Sequence, residues 1–116
     1  MLFTAAKKEY ADAIVDSIDV DSRIFTHRLY RDSCEKTKTG TFRKTLNSIK
    51  NRAIDRCLLV DDNEVHFRAN LGNCVLIDEF DFLNNEEEEE LQDLANLLQK
   101  LNKMKDFCGA LRSLSA

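Results

Sequence analysis

An α/β layered fold is predicted for this 116-residue chain, and three observations carry it. Short apolar, β-prone runs alternate with segments of helical spacing, the pattern of layered α/β domains. One run, Cys57-Leu58-Leu59-Val60, is apolar without alternation and stops at Asp61-Asp62-Asn63. That suits a central parallel strand with acids at its carboxyl end, the edge where ligands gather in open α/β sheets. The last third places an acidic block before leucines at helical spacing.

Taken in order, Leu2–Ala5 reads as a short buried strand. Lys7–Ile18 is helical, with Tyr10, Ala13, Ile14 and Ile18 as the apolar face. Asp19-Val20-Asp21-Ser22 is a turn. Ile24–Tyr30 is β-branched and aromatic and reads as a second strand. Glu35–Thr41, with Gly40, is a loop or hairpin tip, and Lys44–Ala53 is short helical or irregular chain. Cys57–Val60 and Cys74–Ile77 are further strands, the first ending in Asp61-Asp62-Asn63 and leading into a loop at Asn63-Glu64. In the final helix Asn84 or Asn85 caps, and Glu86–Glu90 face the positive end of the helix dipole. Its buried stripe is Leu91, Leu94, Leu98 and Leu101, and an amphipathic turn or two around Phe107, Leu111 and Leu114 closes the chain.

Bulk properties exclude several classes. A net charge of −4 argues against a nucleic-acid surface. No apolar run approaches the ~20 residues that cross a bilayer, and Met1–Lys8 lacks the order of a signal peptide. Cys34, Cys57, Cys74 and Cys108 form no C-x-x-C pair and have no histidine at ligand spacing, so zinc is a poor reading and reduced, buried thiols a better one. His27 and His66 have no partners that would make either a metal ligand or a base. On charge alone, Arg28 and Arg31 read as a solvated pair bridged to Asp32 or Glu35. The Asp61-Asp62 pair stands out without further help, because an acid pair closing an apolar strand has few structural reasons to exist.

The segments FTAAKKEYADAIVDSID (Phe3–Asp19), IFTHRLYRDSC (Ile24–Cys34), FRK (Phe42–Lys44) and LLVDDNEVHF (Leu58–Phe67) together resemble the FCP/SCP-type, or NLI-interacting-factor-like, phosphatases of the haloacid dehalogenase superfamily. The resemblance implies a haloacid-dehalogenase-like Rossmannoid parallel sheet flanked by helices. It also implies a Mg²⁺-dependent protein phosphatase working through an aspartyl phosphate. Family substrates are phosphoserine proteins, the RNA polymerase II tail among them. Residue by residue, Thr4 matches the hydroxyl that binds a phosphate oxygen, and Lys44 matches the lysine that neutralises the phosphate. Arg31 matches an arginine near the substrate, and Asp61 and Asp62 match the acid pair beside the metal.

The D-x-D-x-[TV] motif that carries the family's nucleophile and acid/base aspartates follows no apolar strand in residues 1–116. Asp19-Val20-Asp21 has the spacing but opens a turn, and Asp78-Glu79-Phe80-Asp81 fails it. Asn63-Glu64 stands where the family has Ser-Pro, which alters the loop and adds charge near the metal. The chain therefore reads as one domain over residues 1–116, the carboxy-terminal two-thirds of such a phosphatase, without its first strand and inactive alone. Mg²⁺ is expected to bind weakly or not at all. The alternative is a non-catalytic module that binds phosphoproteins or phosphopeptides through the same surface. A mitochondrial import subunit with this domain finds little support. Self-association through unpaired strands, no nucleic-acid or membrane partner, and a soluble nuclear or cytoplasmic setting complete the expectations.

Overall fold

The computed structural model describes residues 1–80, 83 and 87–115. They fall into two compact units, 1–48 and 49–116.

In the first unit, β1 (Leu2–Phe3) pairs parallel to β2 (Arg28–Leu29), and the Thr4 amide extends the ladder by donating to the Leu29 carbonyl at 2.9 Å. Between them runs α1 (Lys8–Ile18), with Lys7 as its N-cap. The helix lies where its spacing places it, but its buried face is Ala11 and Val15. Tyr10, Ile14 and Ile18 are exposed instead. The stripes at 10, 14, 18 and at 11, 15 lie ~100° apart on a helix of 3.6 residues per turn. Asp12, beside the second stripe, selects it by reaching Arg28 and the Tyr30 hydroxyl on and beside β2. Arg28, which also binds Asp16, is thus a cross-link between helix and strand, not a solvated partner of Asp32 or Glu35.

The strand expected over Ile24–Tyr30 shortens to Arg28–Leu29, and Asp19 is the reason. Its carboxylate accepts the backbone N–H groups of Arg23, Ile24 and Phe25 at 2.8–3.1 Å. Those amides are engaged in a cup at the end of α1, and Ile24 is left exposed. The Glu35–Thr41 loop is the tip of an antiparallel hairpin, β3 (Glu35–Lys36) with β4 (Phe42–Arg43). Glu35 and Arg43 face each other in register and form an ion pair. Gly40 closes the tip at φ +85°, a region few other residues enter at low cost. A 3-10 turn at Leu46–Ser48 ends the unit, within the segment expected to be short helical or irregular.

In the second unit, β5 (Leu59–Asp61) pairs parallel to β6 (Cys74–Leu76), joined by α2 (Glu64–Ala69). This helix replaces the expected loop: Asn63 is an N-cap whose side chain accepts the Val65 amide at 2.9 Å, and Glu64 pairs with Arg68 one turn on. Gly72, at φ +83°, lets the chain pass against α4 (Phe107–Ser115); a Cβ there would meet Arg112 Nε at 2.7 Å.

The core of the second unit is Leu101, Phe107, Cys108 and Leu111, with Leu58, Val75 and Leu97 against it. It lies at the carboxyl end of α3 (Glu87–Lys103), so the leucine stripe is buried only there. Leu101 is buried, Leu94 and Leu98 are half-buried, and Leu91 is 60% exposed, contrary to expectation. Arg56 covers the last carbonyls of α3, donating to Asn102 and Met104 and stacking on Phe107, where a cation suits the helix dipole. Asn73, buried, ties the Ile54 and Cys57 carbonyls to this core. The expected caps Asn84 and Asn85 lie outside the described residues. Parallel β-α-β character is therefore present in both units; of the three two-stranded sheets among the described residues, two are parallel and the β3–β4 hairpin is antiparallel.

Candidate functional site

The residues singled out by sequence divide between the units: Thr4, Arg31 and Lys44 in the first, Asp61 and Asp62 in the second.

In the first unit, Thr4 sits where β1 ends. Its hydroxyl oxygen accepts the Ala6 amide at 3.1 Å, a local turn that leaves the hydroxyl proton as a donor. Arg31 lies just past β2. Its backbone amide donates to the Ala6 carbonyl at 3.0 Å and its Nε to the Ala5 carbonyl at 2.8 Å, while its guanidinium lies over the Phe42 ring at 4.9 Å. With Nε engaged, the plane of the fork is fixed, and the terminal amino groups remain for an anion. Lys44 follows β4 directly.

Cys34 connects the three. Its Sγ lies 3.9 Å from the carbonyl oxygens of Thr4 and Tyr30. Burial pushes its thiol above the usual cysteine value, while the cations of Lys44 and Arg31 pull it back down. The thiol therefore senses the positive charge of Lys44 and Arg31, opposed by the carboxylate of Asp32. Sequence reading took this cysteine as a bland buried thiol. The signal was its place in the Arg31–Cys34 turn, one residue before the hairpin whose far arm delivers Lys44. All four cysteines are free thiols, two buried and two half-buried.

Asp19, the first acid of the D-x-D spacing, is committed to structure. The Ile24 amide, with those of Phe25 and Arg23, holds its carboxyl below the usual carboxylate range. A carboxylate with three backbone donors in a closed turn has no geometry for attack on phosphorus, so the turn reading of Asp19-Val20-Asp21 holds.

In the second unit, Asp61 ends β5 and is buried; its Oδ1 accepts the Asn63 amide at 3.0 Å. Asp62 is exposed at the strand's mouth. Among the described residues no three His, Cys, Asp or Glu side chains converge on a common point. Two carboxylate oxygens still match a hard cation such as Mg²⁺, which is commonly held by one or two carboxylates and keeps several waters. His66 is buried within α2, and the Asn70 side chain donates to its backbone carbonyl, the position of a packed residue.

Residues 1–108 match the family described as NLI interacting factor-like phosphatase. The chain is 31% identical to the probable C-terminal domain small phosphatase of Dictyostelium discoideum, over 91% of this chain and 33% of that protein. It is 30% identical to the human carboxy-terminal domain RNA polymerase II polypeptide A small phosphatase 1, over 97% of this chain and 41% of the relative. Nuclear envelope morphology protein 1 of Schizosaccharomyces pombe is 29% identical over 91% of this chain and 21% of its own length. The chain thus spans between about a fifth and two fifths of the length of these curated relatives. No helix among the described residues is long and apolar enough to cross a membrane.

Proposed function

Since the chain belongs to the NLI interacting factor-like phosphatase family, we propose that residues 1–116 form the phosphate-recognising and metal-liganding part of a Mg²⁺-dependent protein serine/threonine phosphatase with the superfamily's haloacid-dehalogenase-like fold. Its substrates are phosphoserine proteins of the RNA polymerase II tail type, in a nuclear or cytoplasmic setting. The observation that carries this reading is that Thr4, Arg31 and Lys44 stand at or just past the ends of β1, β2 and β4 in one unit, with the Arg31 Nε held by the Ala5 carbonyl beside Thr4 and the charges of Lys44 and Arg31 both acting on Cys34.

Each group has a distinct task. The Thr4 hydroxyl donates to one phosphate oxygen, its lone pair already taken by Ala6. Arg31 offers two parallel donors from a fixed plane, which suits a tetrahedral dianion. Lys44 adds a compact charge on the same side. Asp61 and Asp62 would hold Mg²⁺, which when bound offsets charge on the phosphate during displacement. Asp61 also orders the loop through Asn63, leaving Asp62 the more accessible ligand. With no D-x-D-x-[TV] motif in residues 1–116 and Asp19 committed to its turn, these residues do not supply the attacking carboxylate. They bind phosphoserine without turning it over, and Mg²⁺ weakly.

A non-catalytic phosphoprotein-binding module is the second reading, favoured by the Asn63 cap, which builds a helix start into the acid-pair loop. One experiment addresses both. A fluorescent peptide of the RNA polymerase II tail repeat, with and without phosphoserine, is titrated with the 116-residue chain while phosphate release is monitored. Phosphorylation should tighten binding about tenfold or more, and Arg31→Ala or Lys44→Ala should remove that gain. Equal binding of the two peptides ends both readings. Added Mg²⁺ that tightens phosphopeptide binding, an effect lost in Asp62→Ala, favours the phosphatase part over the metal-independent module.

A further inference from the structure

We propose that the cleft between the end of β6 and the first half of α3 docks a basic, apolar-anchored segment of a partner protein. The proposal needs no phosphate and no metal, although Asp62 belongs both to this cleft and to the proposed metal pair.

The cleft holds about 180 Å³, below the ~300 Å³ at which small-molecule sites begin, so it accommodates one or two peptide side chains. Its apolar wall is Ile77, Phe80, Leu91 and Leu94. Phe80 is 71% exposed and Leu91 60%, although both sit on the ordered margin of a unit with its own core. Single exposed apolar residues are ordinary; here two exposed ones, Phe80 and Leu91, meet the half-buried Ile77 and Leu94 around one depression. The wall is fixed in place, because the Asp78 amide donates to Glu90 Oε1 at 2.7 Å and so ties α3 to the end of β6.

Charge selects the occupant. The remaining lining residues are all acidic, Asp62, Asp78 and Glu90, and no basic side chain among the described residues lines the cleft. The surrounding unit is acidic too, with fourteen Asp and Glu against eight Lys and Arg over residues 49–116. A leucine-like anchor with lysine or arginine on either side satisfies both the wall and the rim. A second copy placed symmetrically would instead set one acidic rim against another.

The test is fluorescence anisotropy with the 116-residue chain and a labelled synthetic peptide carrying one leucine flanked by lysines. It should bind at least about tenfold more tightly than the same peptide flanked by glutamates or with leucine replaced by alanine, and salt should weaken it. Phe80→Ala should cost about tenfold with helicity unchanged by circular dichroism, since this side chain is outside the core. Asp78→Lys, which leaves the rim still net negative, should cut the preference for the lysine-flanked peptide severalfold with circular dichroism unchanged. Equal binding of the two charge forms, no binding of the lysine form at millimolar peptide, or indifference to both substitutions overturns the proposal. So does a dimer seen by light scattering that Phe80→Ala dissolves, because the occupant is then a second copy.

Discussion

The two halves of the chain solve the same problem, a parallel strand pair joined through a helix, by different means. The first unit buries few large apolar side chains and relies on directed polar bonds. Asp12 gathers Lys8, Arg28 and the Tyr30 hydroxyl, and Asp19 gathers three amides. The second unit packs α3 and α4 around Phe107, Cys108 and Leu111 and uses polar groups such as Asn73 to close its edges. Charge follows the same division, with nine basic and seven acidic residues over 1–48 and the reverse excess over 49–116. A phosphate-binding surface needs fixed cations, and a polar-bonded unit positions them; an apolar core supplies stability but no such directionality.

That contrast can be broken experimentally. The largest effect is expected at Phe107, where Phe107→Ala should destabilise the chain by about 3–5 kcal/mol in urea unfolding, as truncating a buried aromatic does. A loss below about 1 kcal/mol would mean the second unit is not held by this core. Next, Asn73→Ala should cost about 1–3 kcal/mol by stranding the Ile54 and Cys57 carbonyls. Removing the Asn63 cap by Asn63→Ala should cost about 1 kcal/mol and loosen α2 amides in hydrogen exchange, while leaving β5 paired.

Acid sharpens the comparison at the other half. Lys8, Tyr30 and Arg28 hold the Asp12 carboxyl well below its ordinary value of 3.8, and backbone donors lower Asp19 from the same value. A carboxyl whose native pKa is depressed adds stability above its unfolded pKa and loses it as pH falls through the native one. The amides of α1 should therefore lose exchange protection below about pH 4, before those of α4. Simultaneous loss would show that the two units do not differ in kind. The smallest effect belongs to the exposed Lys8–Asp12 pair: Lys8→Ala should leave the urea midpoint unchanged.

Much of this was legible in the sequence. Leu2-Phe3, the α1 helix, the apolar run into Asp61 and the Cys74–Leu76 strand all stand where local pattern places them. The errors have physical causes. Ile24 and Phe25 have strand-like side chains, but the Asp19 carboxylate five and six residues earlier takes their amides, and propensity cannot report that bond. The face of α1 was misassigned because Tyr10, Ile14 and Ile18 are the larger side chains, while the ion pair at Asp12 sets the rotation. At α2, Asn63 was weighed as a departure from a loop motif when its older meaning, a helix cap followed by an acid, was available. The family was readable because its motifs keep their order; the role of Cys34 was not, since nothing in one dimension brings Thr4 to it.

Cys34 also gives the chain a reporter of its own. Its thiolate is favoured only by Lys44 and Arg31, against the burial that disfavours it. An oxyanion seated between those two cations would cancel their pull, so the thiol would ionise less readily and alkylate more slowly. Cys57, half-buried in the other unit, serves as the internal reference. The ratio of the two labelling rates would read occupancy of the proposed phosphate site in unmodified protein, with no dye or radiolabel.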